Sequence, residues 1–120
     1  MTELVIVALV YLNVLRVDHT SVILENPKLS QRAELRADYL CNKGQWSHEG
    51  WQESFVDLHY RFYGENLAKG FTTEKEAHIG WFNSPSHLEN MLNPTYSFFG
   101  IGYSEKCNLY VELYAGGFVW

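Results

Sequence analysis

Two histidines, His87 and His48, lie in sequence segments that favour a chemical role for the imidazole. His87 follows Ser84-Pro85, a pair that predicts a helix N-terminus, because the serine oxygen caps a backbone N–H and proline lacks the donor that would go unpaired. His87 then lies in the first helical turn, where the helix dipole disfavours imidazolium and leaves a neutral ring with a free lone pair. His48 lies at the centre of loop 45–51, which fits no regular period.

A serine nucleophile is one chemical hypothesis, because Ser47, Ser84 and Ser86 all lie near a histidine in the sequence. Two observations speak against it. Ser84 is better explained as a helix cap, and the glycine-flanked turn that exposes a hydrolase serine is missing. The other histidines receive no functional role: we expect His78 to be solvated on a helix and His59 to be packed or capped.

The aromatic residues suggest a binding module as the competing class. The chain contains 4 Trp, 8 Tyr and 7 Phe. Trp46 and Trp51 flank His48 and are the candidate ligand-binding residues, since they would line a groove for an apolar or sugar ligand. The alternative is that most of the rings belong to the core.

Composition excludes several classes of partner. The net charge is −5 and no run of basic residues appears, so we expect no nucleic-acid partner. The apolar run from Leu4 to Leu12 is shorter than the ~20 residues of a membrane-spanning helix, and acidic Glu3 stands where a signal peptide would carry positive charge. We therefore predict a buried helix, no signal peptide in this chain and no membrane span, and we leave the compartment open.

The two cysteines, Cys41 and Cys107, lie far apart in the sequence and do not form a metal-type Cys-x-x-Cys pair. We expect free buried thiols. A single disulfide is the alternative, and an isolated pair without a secretory context is seldom oxidised.

Helix signals recur along the chain. Apolar positions at spacings of three and four predict a first helix from about residue 2 to residue 17. Asn26-Pro27 opens a second helix, and Lys43-Gly44 suits its end. Thr73 and Glu76 form a capping box for a third, and Ser84-Pro85 opens a fourth that ends at Asn93-Pro94. A short helix is also expected over residues 52–60.

Strand signals dominate the second half. Large residues alternate with glycines in Phe99–Tyr103, which leaves one sheet face open to close backbone approach. Residues 109–115 alternate apolar and polar, so the two segments predict an antiparallel hairpin. Residues 61–68 are expected to be extended into a turn at Gly64. Without βαβ alternation, the order of elements indicates one α+β domain over residues 1–120, with helices covering a small sheet.

Taken in order, the motifs resemble the CAP superfamily of cysteine-rich secretory proteins, antigen 5 and plant pathogenesis-related class 1 proteins, especially its short prokaryote-type or phage-type branch. The segments that carry the resemblance are Leu12-Asn13-x-x-Arg16, Asn26-Pro-Lys-Leu29, Ser47-His48, Gly64-Glu-Asn-Leu-Ala68, Trp81-x-x-Ser-Pro-x-His87, Asn90-Met-Leu, Pro94-x-Tyr96 and Gly100-Ile-Gly-Tyr103. The resemblance implies a three-layer α-β-α sandwich with a small antiparallel sheet. It also implies secretion, which is usual in the family.

The resemblance further implies a cleft that brings together His48, Glu65 and His87. Two neutral imidazoles and one carboxylate suit a divalent metal, with zinc as the leading candidate and at least one position open to water or substrate. The favoured hypothesis is a domain that binds such a metal and a small apolar, lipid-like or cell-envelope ligand. The alternative is a metal-dependent hydrolase acting on peptide or envelope substrates.

Three features depart from the family pattern. Many animal and plant members carry a glutamate three residues after the tryptophan of the third helix, where this chain has Ser84. A Ser-Pro-Ser-His segment replaces the usual surroundings of the second histidine, and the family disulfides are expected to be absent. Glu89 and Glu49 are candidate substitutes for the missing carboxylate, but their spacing in the sequence gives no evidence for either.

Overall fold

The structure is a computed structural model that describes residues 2–119. Its helices are α1 Glu3–Arg16, α2 Pro27–Lys43, the 3₁₀ helix Trp51–Phe55, α3 Glu74–Phe82 and α4 Pro85–Leu92. Its strands are β1 Leu24–Glu25, β2 Tyr60–Lys69, β3 Phe98–Ser104 and β4 Leu109–Phe118.

The ends of α2 and α3 follow the predicted local chemistry. The Asn26 side chain accepts a hydrogen bond from the backbone N–H of Lys28, and Gly44 closes α2 in the left-handed conformation at φ 61°. The Thr73 side chain accepts from the N–H of Glu76, which confirms the expected start of α3. These ends are set by residues within one turn of each other.

The four strands form one sheet in the order β1-β3-β4-β2. Strands β3 and β4 form the predicted antiparallel hairpin, β2 lies antiparallel to β4, and the two-residue β1 pairs in parallel with β3. Helix α2 covers one face of the sheet, whereas α1, α3 and α4 cover the other. This arrangement confirms the three-layer α-β-α sandwich.

Two expectations for the middle of the chain are wrong. The predicted helix over residues 52–60 is only the 3₁₀ helix Trp51–Phe55. The predicted turn at Gly64 is absent, because β2 runs through this residue, which pairs with Tyr114 of β4. Gly64 serves close packing instead: a Cβ there would lie 2.5 Å from the hydroxyl oxygen of Tyr96.

The bare face of β3 receives α2, as the glycine alternation predicts. A Cβ at Gly100 would lie 2.2 Å from the carbonyl carbon of Leu29, and one at Gly102 would lie 2.2 Å from the backbone nitrogen of Glu34. The backbone of α2 therefore rests directly on the strand, and any side chain at either glycine would force the two apart.

A buried arginine ties α1 to the end of α4. Arg16 is fully buried and donates to the backbone carbonyls of Ser21, Met91, Asn93 and Tyr96. These carbonyls end or follow helices, where no continuing helical turn supplies donors, and the guanidinium fork bonds several of them at once. No helix among residues 2–119 is both long and apolar enough to cross a bilayer.

The expectation of free thiols is wrong. Cys41 at the end of α2 and Cys107 in the β3–β4 loop form a disulfide across a sequence separation of 66 residues. Both residues lie at the end of the molecule where α2 passes over the hairpin, so proximity in the fold, which their spacing does not encode, decides the pairing.

Candidate functional site

A buried ion pair forms the base of the candidate site. Glu65 of β2 and Arg36 of α2 are both almost completely buried, and Arg36 Nε donates to Glu65 Oε2 at 2.9 Å. A second Arg36 nitrogen lies 3.4 Å from Glu65 Oε1 and also 3.4 Å from the backbone oxygen of Ser47. The guanidinium therefore neutralises the carboxylate and fixes its orientation beneath the 45–50 loop.

His48 lies above this pair on the loop. Its Nδ1 is 2.8 Å from Glu65 Oε1, and its side chain is 53% exposed. A carboxylate paired with a guanidinium can only accept, so Nδ1–H of His48 is the donor. In the neutral form of the ring, the lone pair of His48 then resides on Nε2, away from the nitrogen that contacts Glu65.

His87 occupies the first turn of α4, as predicted. Its Nδ1 lies 2.7 Å from the hydroxyl of Ser84. Burial, together with the nearby charge of His48, lowers the pKa of His87. The lowered pKa favours the neutral ring that the sequence predicts. Its causes, however, are desolvation and the second histidine, and not the helix dipole.

The predicted capping role of Ser84 is wrong. Ser84 is the N-cap residue of α4, but its side chain makes no capping hydrogen bond and contacts the ring of His87 instead. Ser84 therefore orients a histidine where many family members place a carboxylate. Glu49 and Glu89 are both exposed, and Glu49 joins the loop's hydrogen bonds through its backbone.

Two asparagines connect α4 to β2 and so set the position of His87. The Asn66 side chain donates to the backbone oxygen of His87 at 3.0 Å, and the Asn90 side chain donates to the backbone oxygen of Glu65 at 3.2 Å. Asn90 also donates to the side-chain oxygen of Asn66 at 2.9 Å. These bonds hold the first turn of α4 beside the Gly-Glu-Asn segment of β2.

The structure thus brings His48 and Glu65 into direct contact, and it ties the backbone of His87 to Asn66, the residue after Glu65 in β2. Within residues 2–119, it contains no group of three or more His, Cys, Asp or Glu side chains already arranged around a metal ion. Trp46 is 53% exposed on the loop, whereas Trp51 packs against the rings of Phe55 and Tyr63. Of the two predicted ligand-binding tryptophans, Trp46 is the more accessible.

A cavity of about 510 Å³ opens between α2 and the loop that carries His48. Its lining mixes aliphatic, aromatic and charged side chains: Arg32, Leu35, Arg36, Tyr39, Gln45, Glu49, Gly50, Glu53 and Ser54. Arg36 belongs both to this lining and to the ion pair with Glu65. The cavity and the histidine cleft therefore share one buried residue.

Sequence reasoning missed Arg36, Asn66 and Asn90. Arg36 carried a signal, because it lies among Leu29, Ala33, Ala37 and Leu40 on the buried stripe of α2. A charged residue on such a stripe requires a buried partner of opposite charge. The asparagines carried no comparable signal, since their partners are backbone atoms on other elements.

The predictions for two other histidines are also wrong. His78 is fully buried in α3 rather than solvated, with Nε2 2.6 Å from Glu112 Oε2 and Nδ1 2.6 Å from the backbone oxygen of Glu74. His59 is exposed, at φ 61°, instead of packed or capped. Neither belongs to the cleft.

Comparisons with known proteins agree with this architecture. The model of the cysteine-rich secretory protein family, CAP, matches residues 11–120. YkwD of Bacillus subtilis is 30% identical over 96 residues, which cover 73% of this chain and 37% of YkwD. The chain therefore spans little more than a third of that relative's length.

Two solved structures share the fold. An extracellular protein of Bacillus anthracis that contains an SCP domain matches with a TM-score of 0.78 and 21% identity, over 88% of this chain and 37% of that one. An outer surface protein of Borrelia burgdorferi matches with a TM-score of 0.85 and 20% identity, over 97% and 94% of the two chains. On the strength of the family match, this chain belongs to the cysteine-rich secretory protein (CAP) family.

Proposed function

We propose that the cleft binds a divalent metal ion, preferentially Zn²⁺, through Nε2 of His48 and Nε2 of His87, and that the domain uses this site to hold a small cell-envelope or apolar ligand. The observation that carries the proposal is that both Nδ1 atoms are already engaged, one by Glu65 and the other by Ser84. Metal-binding histidines are commonly oriented in this way by a second hydrogen-bonded group.

The donor set fits a zinc ion that retains open positions. Imidazole nitrogen is a preferred zinc ligand, and the lowered pKa of His87 keeps that ring free to coordinate. In this proposal Glu65 orients His48 rather than binding the ion, since Arg36 and His48 engage both of its oxygens. Two protein ligands leave room for groups supplied by a bound molecule.

The neighbouring cavity supports ligand binding beside the metal. Its volume of about 510 Å³ lies in the range of small-molecule sites. Leu35 and Tyr39 present exposed apolar surface at its rim, and Trp46 is exposed on the adjoining loop. The extracellular and outer-surface descriptions of the two similar structures favour a ligand from the cell envelope.

A metal-dependent hydrolase is the second candidate, favoured by the open positions left by a two-histidine site. A bound divalent ion would supply Lewis-acid activation of water. The hydrolase hypothesis predicts turnover of peptides or peptidoglycan fragments that a chelator abolishes. The binding hypothesis predicts that the ligand is retained without turnover.

Calorimetric titration with Zn²⁺ tests the metal site. We expect one ion per chain for the wild type, and at least about tenfold weaker binding for the double variant His48→Ala, His87→Ala. The matched control is His19→Ala, His59→Ala, which removes two exposed histidines outside the cleft and should leave the isotherm unchanged. Identical isotherms for the wild type and the cleft variant would refute the proposal.

A further inference from the structure

Helix α1 carries an apolar stripe on its outer side, away from the core. Ile6, Val10, Val14 and Val17 recur at spacings of four, four and three, so they lie on one face of the helix. Ile6 and Val10 are about half exposed, and Val14 and Val17 are 69% and 72% exposed. The opposite side of α1 buries Val5, Ala8 and Leu12 in the core.

The stripe continues onto its neighbours on both sides. Val22 and Leu24 line a shallow depression together with Val10, Val14 and Val17. On the other side, Ile79 and Phe82 of α3 line a groove of about 330 Å³ together with Val14. We call the combined surface the α1 outer face; it consists of Ile6, Val10, Val14, Val17, Val22, Leu24, Ile79 and Phe82.

The α1 outer face is large for a monomer. It holds eight of the fifteen large hydrophobic residues that are exposed within residues 2–119. At roughly half exposure, these side chains present on the order of 700 Å² of apolar surface, close to the ~800 Å² that each partner buries in a stable complex. Contiguous patches of this size mark interaction sites.

The charges around the face select the kind of partner. Residues 4–15 of α1 contain no charged side chain, and Asn13 turns inward to bond the backbone of Leu9 and Ile23. Acidic residues stand near its ends, namely Glu3, Asp18 and Glu25, and one basic residue, Lys75, precedes Ile79 by one turn on α3. Helices that lie on membranes carry Lys and Arg beside their apolar face, which is the opposite pattern.

We propose that the α1 outer face is a self-association surface, on which a second copy of this chain packs with α1 against α1 about a two-fold axis. An uncharged aliphatic surface is complementary to itself, as a two-fold interface requires. The groove beside Val14 provides a depression for side chains of the partner copy. Because the rim carries more acidic than basic residues, salt should strengthen the association.

Sedimentation equilibrium of the purified chain tests this proposal. We expect the wild type to dimerise with a dissociation constant below about 100 μM, and Val14→Glu to raise that constant at least about tenfold. The substitution lies at a solvent-exposed helical position, where glutamate has a higher helix propensity than valine, so the monomer fold is retained. Circular dichroism verifies this.

The matched control is Leu35→Glu on α2, a residue with a comparable exposure of 61% outside the α1 outer face. It should dimerise like the wild type. A wild type that stays monomeric at about 100 μM, or a Val14→Glu variant that dimerises normally, would overturn the proposal. So would a wild type that stays monomeric but binds phosphatidylcholine vesicles through Val14, because the face would then serve a membrane.

Discussion

The imidazole of His78 and the carboxylate of Glu112 meet at 2.6 Å inside the layer between α3 and β4, and neither side chain reaches solvent. The backbone oxygen of Glu74 can only accept, so Nδ1 of His78 carries a hydrogen. The hydroxyl of Tyr114 donates to the other oxygen of Glu112. The contact between Nε2 and Glu112 therefore holds one further proton, and with that proton on the imidazole the two side chains form a buried ion pair.

Removing one partner should be costly. Burial opposes the charged form of His78, but Glu112 outweighs it through charge and hydrogen bonding, so the pKa of His78 is raised. His78→Ala leaves the Glu112 charge buried without compensation, and we expect a loss of about 3 kcal/mol in the free energy of unfolding, measured by urea denaturation. The double variant His78→Leu, Glu112→Leu should lose clearly less; an equal loss would contradict the ion-pair assignment.

The same pair predicts a pH dependence. A pKa raised on folding means that the stabilisation is complete below the ordinary pKa of 6.5 and disappears as the pH rises through the folded value. We expect the urea midpoint to fall as the pH is raised above 6.5 into the mildly alkaline range. Burial raises the pKa of Tyr110 to about 12 and that of Tyr114 well above 10, so neither contributes in this range. The control is the double Leu variant, which should lack this component.

Glu65→Gln should weaken Zn²⁺ binding by roughly 10–100-fold without removing either proposed ligand. The physical reason is that Glu65 fixes the tautomer and orientation of His48. Calorimetry provides the measurement, and thermal denaturation verifies that the variant, which leaves Arg36 without its carboxylate, remains folded at the titration temperature. Glu49→Gln on the same loop is the matched control. Unchanged affinity in a folded Glu65→Gln protein would assign Glu65 no role at the metal.

Gly64→Ala should destabilise the fold by about 1–3 kcal/mol, because the new methyl group would overlap the Tyr96 hydroxyl. Tyr96→Phe removes that oxygen and should recover part of the loss in a double variant. Gly102→Ala is the specificity control, since its methyl group would meet the backbone of α2 instead. Urea midpoints of these variants and of the double variant Gly102→Ala, Tyr96→Phe decide the outcome, and rescue of Gly102→Ala by Tyr96→Phe would count against this explanation.

Reduction of the Cys41–Cys107 bond should lower the free energy of unfolding by about 2–4 kcal/mol, since it releases a crosslink that spans 66 residues. The measurement is urea denaturation with and without dithiothreitol. Cys41→Ser, Cys107→Ser should match the reduced protein and be insensitive to the reductant. A wild-type midpoint that reductant leaves unchanged, with both thiols shown to be free, would contradict the prediction.

The sequence by itself determined most of the helix ends and the pattern of β3, although not the segment 52–64 or the cap of α4. The caps at Asn26 and Thr73, the left-handed Gly44 and the alternation in β3 each depend on residues within a few positions of one another. Their preferences act through local backbone geometry, so they can be predicted before any tertiary contact is known.

Only the tertiary structure decided which polar groups meet in the interior. Arg36 and Glu65 are 29 residues apart, His78 and Glu112 are 34 apart, and the two cysteines are 66 apart. No periodicity encodes such pairs, because a buried charge is stabilised by whichever compensating group the packed layers bring close to it. For the same reason His78, which looks like a solvated helix residue in the sequence, is the histidine most deeply enclosed in the fold.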